Sequence, residues 1–333
     1  MPAAALAVSP FRWQDGERLV RFGRGTLNEG PDLLGEDYQL LTTTRALQAA
    51  PDLAEGAADV HHVAPGHVDE VAAELRESVR GELLVALGGG RVIDVAKALA
   101  AADPPRRVAA VPTTLSAAEM TALHRHVSEV PAATPRVRPA IVLNDPALSA
   151  SQPEAQLAAS ALNSLAHAAE APLTPLASPV PTLAAMEGAR LLAGGLVPSE
   201  PERDALALGA LLAGYASGAA GFGLHHVMAQ TLVRLAGIGH GPANAILLPH
   251  TILSLARRFP GEMERFGEAV GGEPSAVAAS ILARVGVTRL RECGVTSEVL
   301  PRCAAAAAER PELALTPPPA TSDELLELYE AAW

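Results

Sequence analysis

Three consecutive glycines, Gly88-Gly89-Gly90, stand between a buried-type apolar run and a segment of helical periodicity that contains Asp94 and Lys97. Because glycine has no Cβ, backbone N–H groups in such a turn can approach a pyrophosphate closely. The start of the following helix adds unpaired donors and a partial positive charge. A tight turn without a ligand is the alternative, since the pattern does not match the G-x-G-x-x-G fingerprint.

A second polar turn follows the next apolar run and carries three hydroxyls, on Thr113, Thr114 and Ser116. In an open parallel sheet, ligands bind beyond the carboxyl ends of the strands, so both turns are expected to face one crevice. A helix cap could also explain the second turn, but the two turns together favour a dinucleotide site. Lys97 is the only lysine in a chain with 25 Lys and Arg residues, which indicates a compact ammonium in a tight pocket.

Histidines form the third group of residues with chemical potential. Asn163 and His167 lie four residues apart on one helix face, and His240 follows His226 after fourteen residues. A lone histidine on an alanine-rich helix is usually structural, but this set could bind a divalent metal or form a metal-free pocket that polarises a carbonyl. Because a neutral amide is a poorer metal ligand than a carboxylate, Asn163 favours weak or absent metal binding.

The elements that must position the two turns are predicted in the first part of the chain. Short apolar runs alternate there with helical patterns, which is typical of a parallel α/β sheet. Apolar runs bounded by turn signals predict strands over 38–43, 82–87, 107–111 and 139–143. Helical spacing over 68–79 predicts a crossover helix. We therefore expect residues 1–150 to form an α/β dinucleotide-binding domain with a parallel sheet.

The histidines belong to a region of different texture, in which alanine- and leucine-rich segments alternate with Pro and Gly. Ser151-Gln152-Pro153-Glu154 matches a capping box with Pro in the first turn and predicts a helix that runs to about Glu170. Further helices are predicted over 179–194, 201–218, 222–236, 242–258 and 262–270, with His240 in a turn. Residues 151–333 are therefore expected to form an all-α domain that carries the histidine cluster.

Composition excludes several classes of partner. The chain has 333 residues and a formal net charge of -12, whereas a surface that binds nucleic acid or an anionic membrane needs clustered Lys and Arg. No apolar run is long enough to span a bilayer, and the N-terminus shows no secretory signal pattern. We expect a cytoplasmic protein with a small-molecule substrate, in which Cys293 and Cys303 are reduced thiols.

In combination, these motifs resemble the iron-containing alcohol dehydrogenase superfamily and, within it, the maleylacetate reductases. Gly88 to Lys97 matches the pattern G-G-G-S-x-x-D-x-A-K, and Val111 to Thr121 matches V-P-T-T-x-x-x-x-E-M-T. The resemblance continues from Asp145-Pro146 to Glu170 and from Leu224 to His250, so it covers most of the chain.

The resemblance implies a dinucleotide-binding α/β domain, a helical C-terminal domain, an active site in the cleft between them, and a homodimer. In metal-dependent members an aspartate and three histidines bind iron or zinc, at positions that match Asn163, His167, His226 and His240. Asparagine at the first position, and His225 before His226, resemble maleylacetate reductases. Those enzymes use NADH or NADPH to reduce the carbon–carbon double bond of maleylacetate, which gives 3-oxoadipate.

This resemblance assigns a role to each candidate residue. The candidate catalytic residues are His167, His226, His240, Asn163 and Lys97, of which the three histidines, with or without a metal, would stabilise a developing enolate oxygen. Lys97 would hold the nicotinamide ribose or a substrate carboxylate. The candidate cofactor-binding residues are Gly88, Gly89, Gly90, Asp94, Lys97, Thr113, Thr114, Ser116 and Thr44.

Some positions depart from the family pattern. Gln230 stands where a further histidine is usual, and Arg91 replaces a serine beside the phosphates. Thr44-Arg45 stand where NAD-selective members carry an aspartate, so NADPH is allowed. Three alternatives follow: a metal-dependent alcohol or aldehyde dehydrogenase, a non-redox lyase or cyclase similar to dehydroquinate synthases, and a homologue that has lost catalysis.

Overall fold

The structure is a computed structural model that describes residue 6 and residues 8–333. Its N-terminal part contains one seven-stranded sheet with the strand order β1-β2-β7-β6-β5-β3-β4. The strands are β1 Phe11–Asp15, β2 Arg18–Phe22, β3 Tyr38–Thr42, β4 Ala57–His62, β5 Leu83–Gly88, β6 Arg107–Pro112 and β7 Ile141–Asn144. β1 pairs antiparallel with β2, and all other pairs are parallel.

The central strands are buried on both faces, which is why they appear in the sequence as continuous apolar runs. Along β5, Leu84 and Ala86 join one hydrophobic cluster, whereas Val85 and Leu87 join the other. Because β3, β5 and β6 are parallel neighbours, their carboxyl ends lie at the same edge of the sheet. The predicted α/β fold with a parallel sheet is confirmed.

The other main elements of the described residues are α-helices. They are α1 Gly30–Leu34, α2 Thr44–Ala49, α3 Val68–Leu75, α4 Gly90–Ala102, α5 Glu154–Glu170, α6 Pro179–Gly194, α7 Arg203–Ala220, α8 Leu224–Ala236, α9 His240–Arg258, α10 Pro260–Val270, α11 Pro274–Leu282, α12 Leu300–Ala308 and α13 Ser322–Ala332. Among the described residues, one compact unit spans residues 8–152, and the other comprises residue 6 and residues 153–333. From α5 onward the described residues are helical, as predicted.

Small residues let two helices of the second unit approach closely. A Cβ on Gly188 of α6 would lie 2.9 Å from the carbonyl oxygen of Gly209, and a Cβ on Gly209 of α7 would lie 3.0 Å from that of Gly188. This contact explains how a chain with 3% aromatic residues builds a dense helical core.

Among the described residues no single helix meets the length and hydropathy needed to cross a membrane, and only the bent pair of α7 and α8 meets them jointly.

Two local predictions are wrong. The Ser151 hydroxyl does not cap α5: it donates to the carbonyl oxygen of Leu148 at 3.0 Å and closes a short 3-10 helix, Pro146–Ser151. The N-cap of α5 is Pro153, which has no side-chain acceptor to offer. His240 is not in a turn either, because it is the first residue of α9, after Gly239 in extended conformation.

Candidate functional site

The glycine-rich turn lies where the sequence predicts it, between a strand and a helix. β5 ends at Gly88, α4 begins at Gly90, and Gly89 is the N-cap residue. The N–H of Thr113 donates to the carbonyl oxygen of Gly88 at 3.0 Å, so the turn after β6 is joined to the turn after β5. The structure thus brings both predicted turns together.

The two turns approach each other more closely than residues with a Cβ would allow. A Cβ on Gly89 would lie 3.0 Å from Oγ1 and Cγ2 of Thr114, and a Cβ on Gly90 would lie 2.9 Å from Cβ of Ser116. A Cβ on Gly88 would lie 2.7 Å from Cγ2 of Val92. A Cβ at Gly88 or Gly90 would force a neighbouring side chain to move, and one at Gly89 would be tightly packed. Gly89 and Gly90 are only half-buried.

This arrangement fits the diphosphate of a dinucleotide. The first N–H groups of an α-helix have no carbonyl partner within the helix, so those of Gly90 and Arg91 can bind an anion. The hydroxyls of Thr114 and Ser116 flank the same turn. Thr44, exposed at the start of α2, follows the neighbouring strand β3 at this edge of the sheet. Its contact with the cofactor stays a prediction.

Lys97 lies inside the N-terminal unit with a fully buried side chain. Its Nζ donates to the carbonyl oxygens of Ala118, Thr121 and Leu123 at 3.0, 3.2 and 2.7 Å. It also forms an ion pair with Oδ1 of Asp94 at 2.8 Å. Because an ammonium has three protons, these protein oxygens use its donor capacity. The predicted contact of Lys97 with cofactor or substrate stays a prediction, and the geometry favours support of the loop after β6.

That loop contains a second buried ionisable group, Glu119. Its side chain is 1% exposed, and Oε2 has no hydrogen-bond partner among the described residues. Burial raises the pKa of Glu119 to about 7, against the opposing effects of a hydrogen bond from its own backbone and the nearby charges of Lys97 and Arg18. Ala117, just before it, has a left-handed backbone with φ 63°, which is costly for a residue with a Cβ.

The predicted histidines come together in the second unit. His167 and Asn163 lie on α5, His226 lies near the start of α8, and His240 begins α9. The rings of His167 and His226 stack with centroids 3.8 Å apart and an interplanar angle of 14°. Nε2 of His240 is 3.2 Å from Oδ1 of Asn163. We call these four residues the histidine cluster.

Glu170, which the sequence analysis did not select, holds one side of the histidine cluster. Its Oε2 is 2.6 Å from Nδ1 of His226. Its Oε1 accepts from the N–H groups of Gly223 at 3.2 Å and His225 at 2.7 Å, at the start of α8. Glu170 is three residues after His167, so the i, i+3 spacing on one helix face was the signal that could have found it.

His225 occupies a different place from its neighbour His226. Its Nδ1 is 2.9 Å from Oγ1 of Thr251, and its Nε2 is 3.2 Å from Oδ1 of Asn244. The Asn244 amide in turn donates to the carbonyl oxygen of His240 at 2.8 Å. His225 is fully buried, and its contacts with Thr251 and Asn244 join α8 to α9. It therefore stabilises the two helices that carry His226 and His240.

Burial favours the neutral form of three imidazoles, those of His167, His225 and His226. Burial lowers the pKa of His226 to about 3 and that of His225 to about 3, with neighbouring histidines adding to the effect. Burial and the nearby His226, His240 and His225 also hold the pKa of His167 well below its usual value. Burial raises the pKa of Glu170, while His225 and three backbone N–H groups oppose that rise. At neutral pH His167, His225 and His226 therefore act as uncharged hydrogen-bonding groups.

The histidine cluster does not fit a divalent metal. The lone pairs of an imidazole lie in the ring plane, so two stacked rings direct them along parallel planes and not toward one point. Nε2 of His240 faces the Asn163 amide, which carries no charge. Within residue 6 and residues 8–333, no three His, Cys, Asp or Glu side chains are placed to hold a metal ion.

Gln230 lies outside the histidine cluster. Its Oε1 accepts a hydrogen bond from Nη2 of Arg310 at 3.0 Å, and Arg310 also pairs with Glu312. This amide therefore connects α8 to the short 3-10 helix Pro311–Leu315.

The fold and these two groups of residues define an oxidoreductase of the iron-containing alcohol dehydrogenase family, to which the chain belongs. Residues 39–153 match the family model described as iron-containing alcohol dehydrogenase, and residues 157–333 match the model of the C-terminal part of the Fe-containing alcohol dehydrogenase family. The chain is an NAD(P)H-dependent enzyme that acts on a small molecule. The family prediction is confirmed.

The relatives include several maleylacetate reductases. Maleylacetate reductase 1 of Rhodococcus opacus is 34% identical over 81% of this chain and 78% of its own length. Maleylacetate reductase of Sphingobium indicum is 32% identical over 94% of both chains. The crystal structure of maleylacetate reductase from Agrobacterium tumefaciens superposes with a TM-score of 0.83 at 28% identity, and covers 98% of this chain and 99% of its own. The predicted similarity to maleylacetate reductases is confirmed.

Proposed function

We propose that the chain reduces the activated carbon–carbon double bond of an oxo-dicarboxylic acid, with maleylacetate as the candidate substrate and NADH or NADPH as the reductant. One observation carries the proposal: the buried, neutral imidazole of His226 stacks on His167, and the amide of Asn163 stands beside His240 in the place of a charged ligand. Such a site suits polarisation of a carbonyl oxygen without a metal.

The N-terminal unit binds the cofactor in this proposal. The N–H groups of Gly90 and Arg91 and the hydroxyls of Thr114 and Ser116 hold the diphosphate. The reduced nicotinamide supplies the hydride. Lys97 and its partner Asp94 act from inside the unit, because they fix the loop that carries these hydroxyls.

The histidine cluster binds the oxo group of the substrate in this proposal. Nδ1 of His167 has no hydrogen-bond partner among the described residues, so His167 is free to turn a ring N–H toward a ligand. Addition of hydride to the carbon β to the ketone places negative charge on the ketone oxygen. His167, His226, His240 and Asn163 provide the polar surface that stabilises this enolate.

Both reduced cofactors are proposed to serve. β3 is followed by Thr43 and Thr44, so no carboxylate stands at the end of this strand to bind the ribose hydroxyls or to repel a 2′-phosphate. The side chain of Arg45, one residue further along α2, is exposed and positively charged. A preference for NADPH over NADH is the expected consequence.

The test is a spectrophotometric assay that combines the protein, either cofactor and maleylacetate, and follows the absorbance of the reduced nicotinamide. Oxidation of the cofactor with formation of 3-oxoadipate is the expected result. Absence of oxidation with both cofactors, in a preparation that binds them, would remove maleylacetate as substrate and leave the other activities of the family to be tested.

A metal-dependent alcohol or aldehyde dehydrogenase is the second candidate, because His167, His226 and His240 keep the spacing of the metal enzymes. Its assay is the oxidation of simple alcohols with and without added iron or zinc.

A cytoplasmic location and a homodimer complete the proposal. The free thiols of Cys293 and Cys303 favour the first, and the family resemblance favours the second.

A further inference from the structure

The carboxyl group of Glu170 contacts the start of α8, the helix that carries the catalytic candidate His226. The carboxyl is 1% exposed and lies at the last residue of α5. One oxygen accepts from two backbone N–H groups at the start of α8, and the other faces Nδ1 of His226 at 2.6 Å. A single side chain therefore fixes both the helix that carries His226 and the imidazole itself.

These contacts decide which ring nitrogen of His226 carries the proton. Glu170 accepts from two backbone N–H groups, and its third partner, Nδ1 of His226, can also carry a proton. All three groups lie at the N-terminal end of α8, where negative charge is stabilised. A carboxylate only accepts hydrogen bonds, so its partner Nδ1 carries the proton. The hydrogen bond at one ring nitrogen determines the state of the other, which leaves Nε2 of His226 with a lone pair.

That lone pair has no partner within the part of the chain that the structure describes. Nε2 of His226 is buried and accepts no hydrogen bond from the described residues. The His226 side chain is 1% exposed, and its ring stacks on that of His167. A buried polar atom is normally paired, and unpaired ones mark sites completed by a ligand. The partner required here is a group that donates a hydrogen bond.

We propose that Glu170 is a positioning residue, which holds His226 in the Nδ1–H tautomer and so presents Nε2 as a hydrogen-bond acceptor to an O–H group of the bound ligand or of a water molecule bound with it. The kinetic part of this proposal rests on the reductase activity proposed above. Within the histidine cluster, His226 is thus the hydrogen-bond acceptor.

Thr316 provides a matched control. Its Oγ1 accepts from the N–H of Leu224 at 2.9 Å, so it caps the same end of α8 as Glu170 does but has no contact with an imidazole. A Cβ on Gly223 would lie 1.9 Å from this hydroxyl oxygen, which shows how closely the cap fits. Thr316→Val removes a cap of α8, whereas Glu170→Gln keeps an oxygen for the backbone donors and turns an N–H toward His226.

The first experiment is a two-bond ¹H–¹⁵N correlation spectrum of the ¹⁵N-histidine-labelled wild-type protein, with the His226 signals assigned by their loss in His226→Asn. The expected result is the Nδ1–H tautomer in the wild type and the Nε2–H tautomer in Glu170→Gln. The Nε2–H tautomer in the wild type would overturn the proposal. This measurement needs no substrate, so it decides the proposal even if maleylacetate is not reduced.

The second experiment compares the kinetics of the two variants. Glu170→Gln is expected to lower kcat about 100-fold with little change in the KM for the cofactor, while Thr316→Val keeps kcat within about threefold of the wild type. An equal loss in both variants would show that Glu170 acts only through the helix start, and wild-type kcat in Glu170→Gln would show that the tautomer has no role. Either result would overturn the proposal.

Discussion

The glycine turns and the histidine cluster are built in opposite ways. The turns use backbone N–H groups, and glycines bring them within hydrogen-bond distance of each other at the edge of the sheet. The histidine cluster uses side chains from α5, α8 and α9, and burial keeps the imidazoles of His167 and His226 neutral. The first region offers half-exposed donors to an anion, while the second offers a desolvated polar surface to a reacting group.

This difference separates binding from chemistry. A change in the turns should weaken the cofactor complex, because the donors there are fixed by close backbone contact. A change in the histidine cluster should leave the cofactor bound and slow the reaction. The five predictions below test this separation, in order of decreasing effect.

Replacement of the His167 imidazole by a ring without nitrogen should have the largest effect on kcat. In His167→Phe the ring stack on His226 is retained but the hydrogen-bonding nitrogens are lost, so kcat should fall by about 100- to 10,000-fold. The dissociation constant of NADPH, measured by fluorescence titration, should stay within about twofold of the wild-type value. Loss of NADPH binding in this variant would contradict the separation.

Gly90→Val should weaken cofactor binding. A Cβ there would lie 2.9 Å from Cβ of Ser116, so the two turns must separate and donors to the diphosphate are lost. Loss of one or two such bonds raises the dissociation constant of NADPH by about 100-fold. The control is Gly261→Val in α10, where a Cβ meets no atom within 4 Å. Unchanged titration curves for Gly90→Val would refute a diphosphate site at this turn.

Lys97→Met should reduce stability more than it alters any contact with a ligand. It leaves Asp94 and three carbonyl oxygens without their buried cation, which costs about 3–5 kcal/mol in the free energy of unfolding. Urea denaturation measures this cost. A stable variant with a weakened NADPH complex would instead support the direct cofactor contact that the sequence predicts.

Glu119→Gln should remove a pH dependence of stability. Because the folded-state pKa of Glu119 is raised to about 7, its contribution is fully present below about pH 4.5 and is lost as the pH rises to about 7. Relative to the variant, the wild type should lose up to about 3 kcal/mol between pH 5 and pH 8. Urea denaturation at both pH values checks this, and parallel pH profiles for the two proteins would show that Glu119 stays ionised when folded.

The smallest effect is expected from metal removal. Since the histidine cluster does not fit a metal, incubation with a chelator should leave the reductase activity within about twofold of its initial value. Asn163→Asp adds a charged ligand and should raise the iron or zinc content measured by mass spectrometry. Stoichiometric metal in the wild type, with activity lost on chelation, would support the alcohol dehydrogenase alternative.

The strands that surround the glycine turns were predictable because burial on both faces leaves a clear apolar run. Ala57–His62 and Phe11–Asp15 were missed, since both are edge strands with exposed and polar positions. The helix Pro274–Leu282 was not assigned, because it is rich in small residues with little periodic contrast. Leu300–Ala308 and Ser322–Ala332 were also missed, although Thr321 caps the second of them.

The candidate site was predictable to different degrees in its two regions. The role of a glycine turn follows from local geometry, which is why its partner turn was found from spacing alone. The state of a side chain depends on what surrounds it. Lys97 is enclosed by a loop whose path the sequence does not show, and the Glu170–His226 pair joins α5 to α8. Neither arrangement can be inferred without the tertiary structure.

The most direct test follows a deuteride from cofactor to product. NADPH doubly deuterated at the nicotinamide C4 is mixed with the protein and maleylacetate, and the product is analysed by NMR and mass spectrometry. The account predicts 3-oxoadipate with one deuterium on the carbon β to the ketone. A deuterium on a carbinol carbon would show reduction of the ketone instead, and would contradict the function proposed for the histidine cluster.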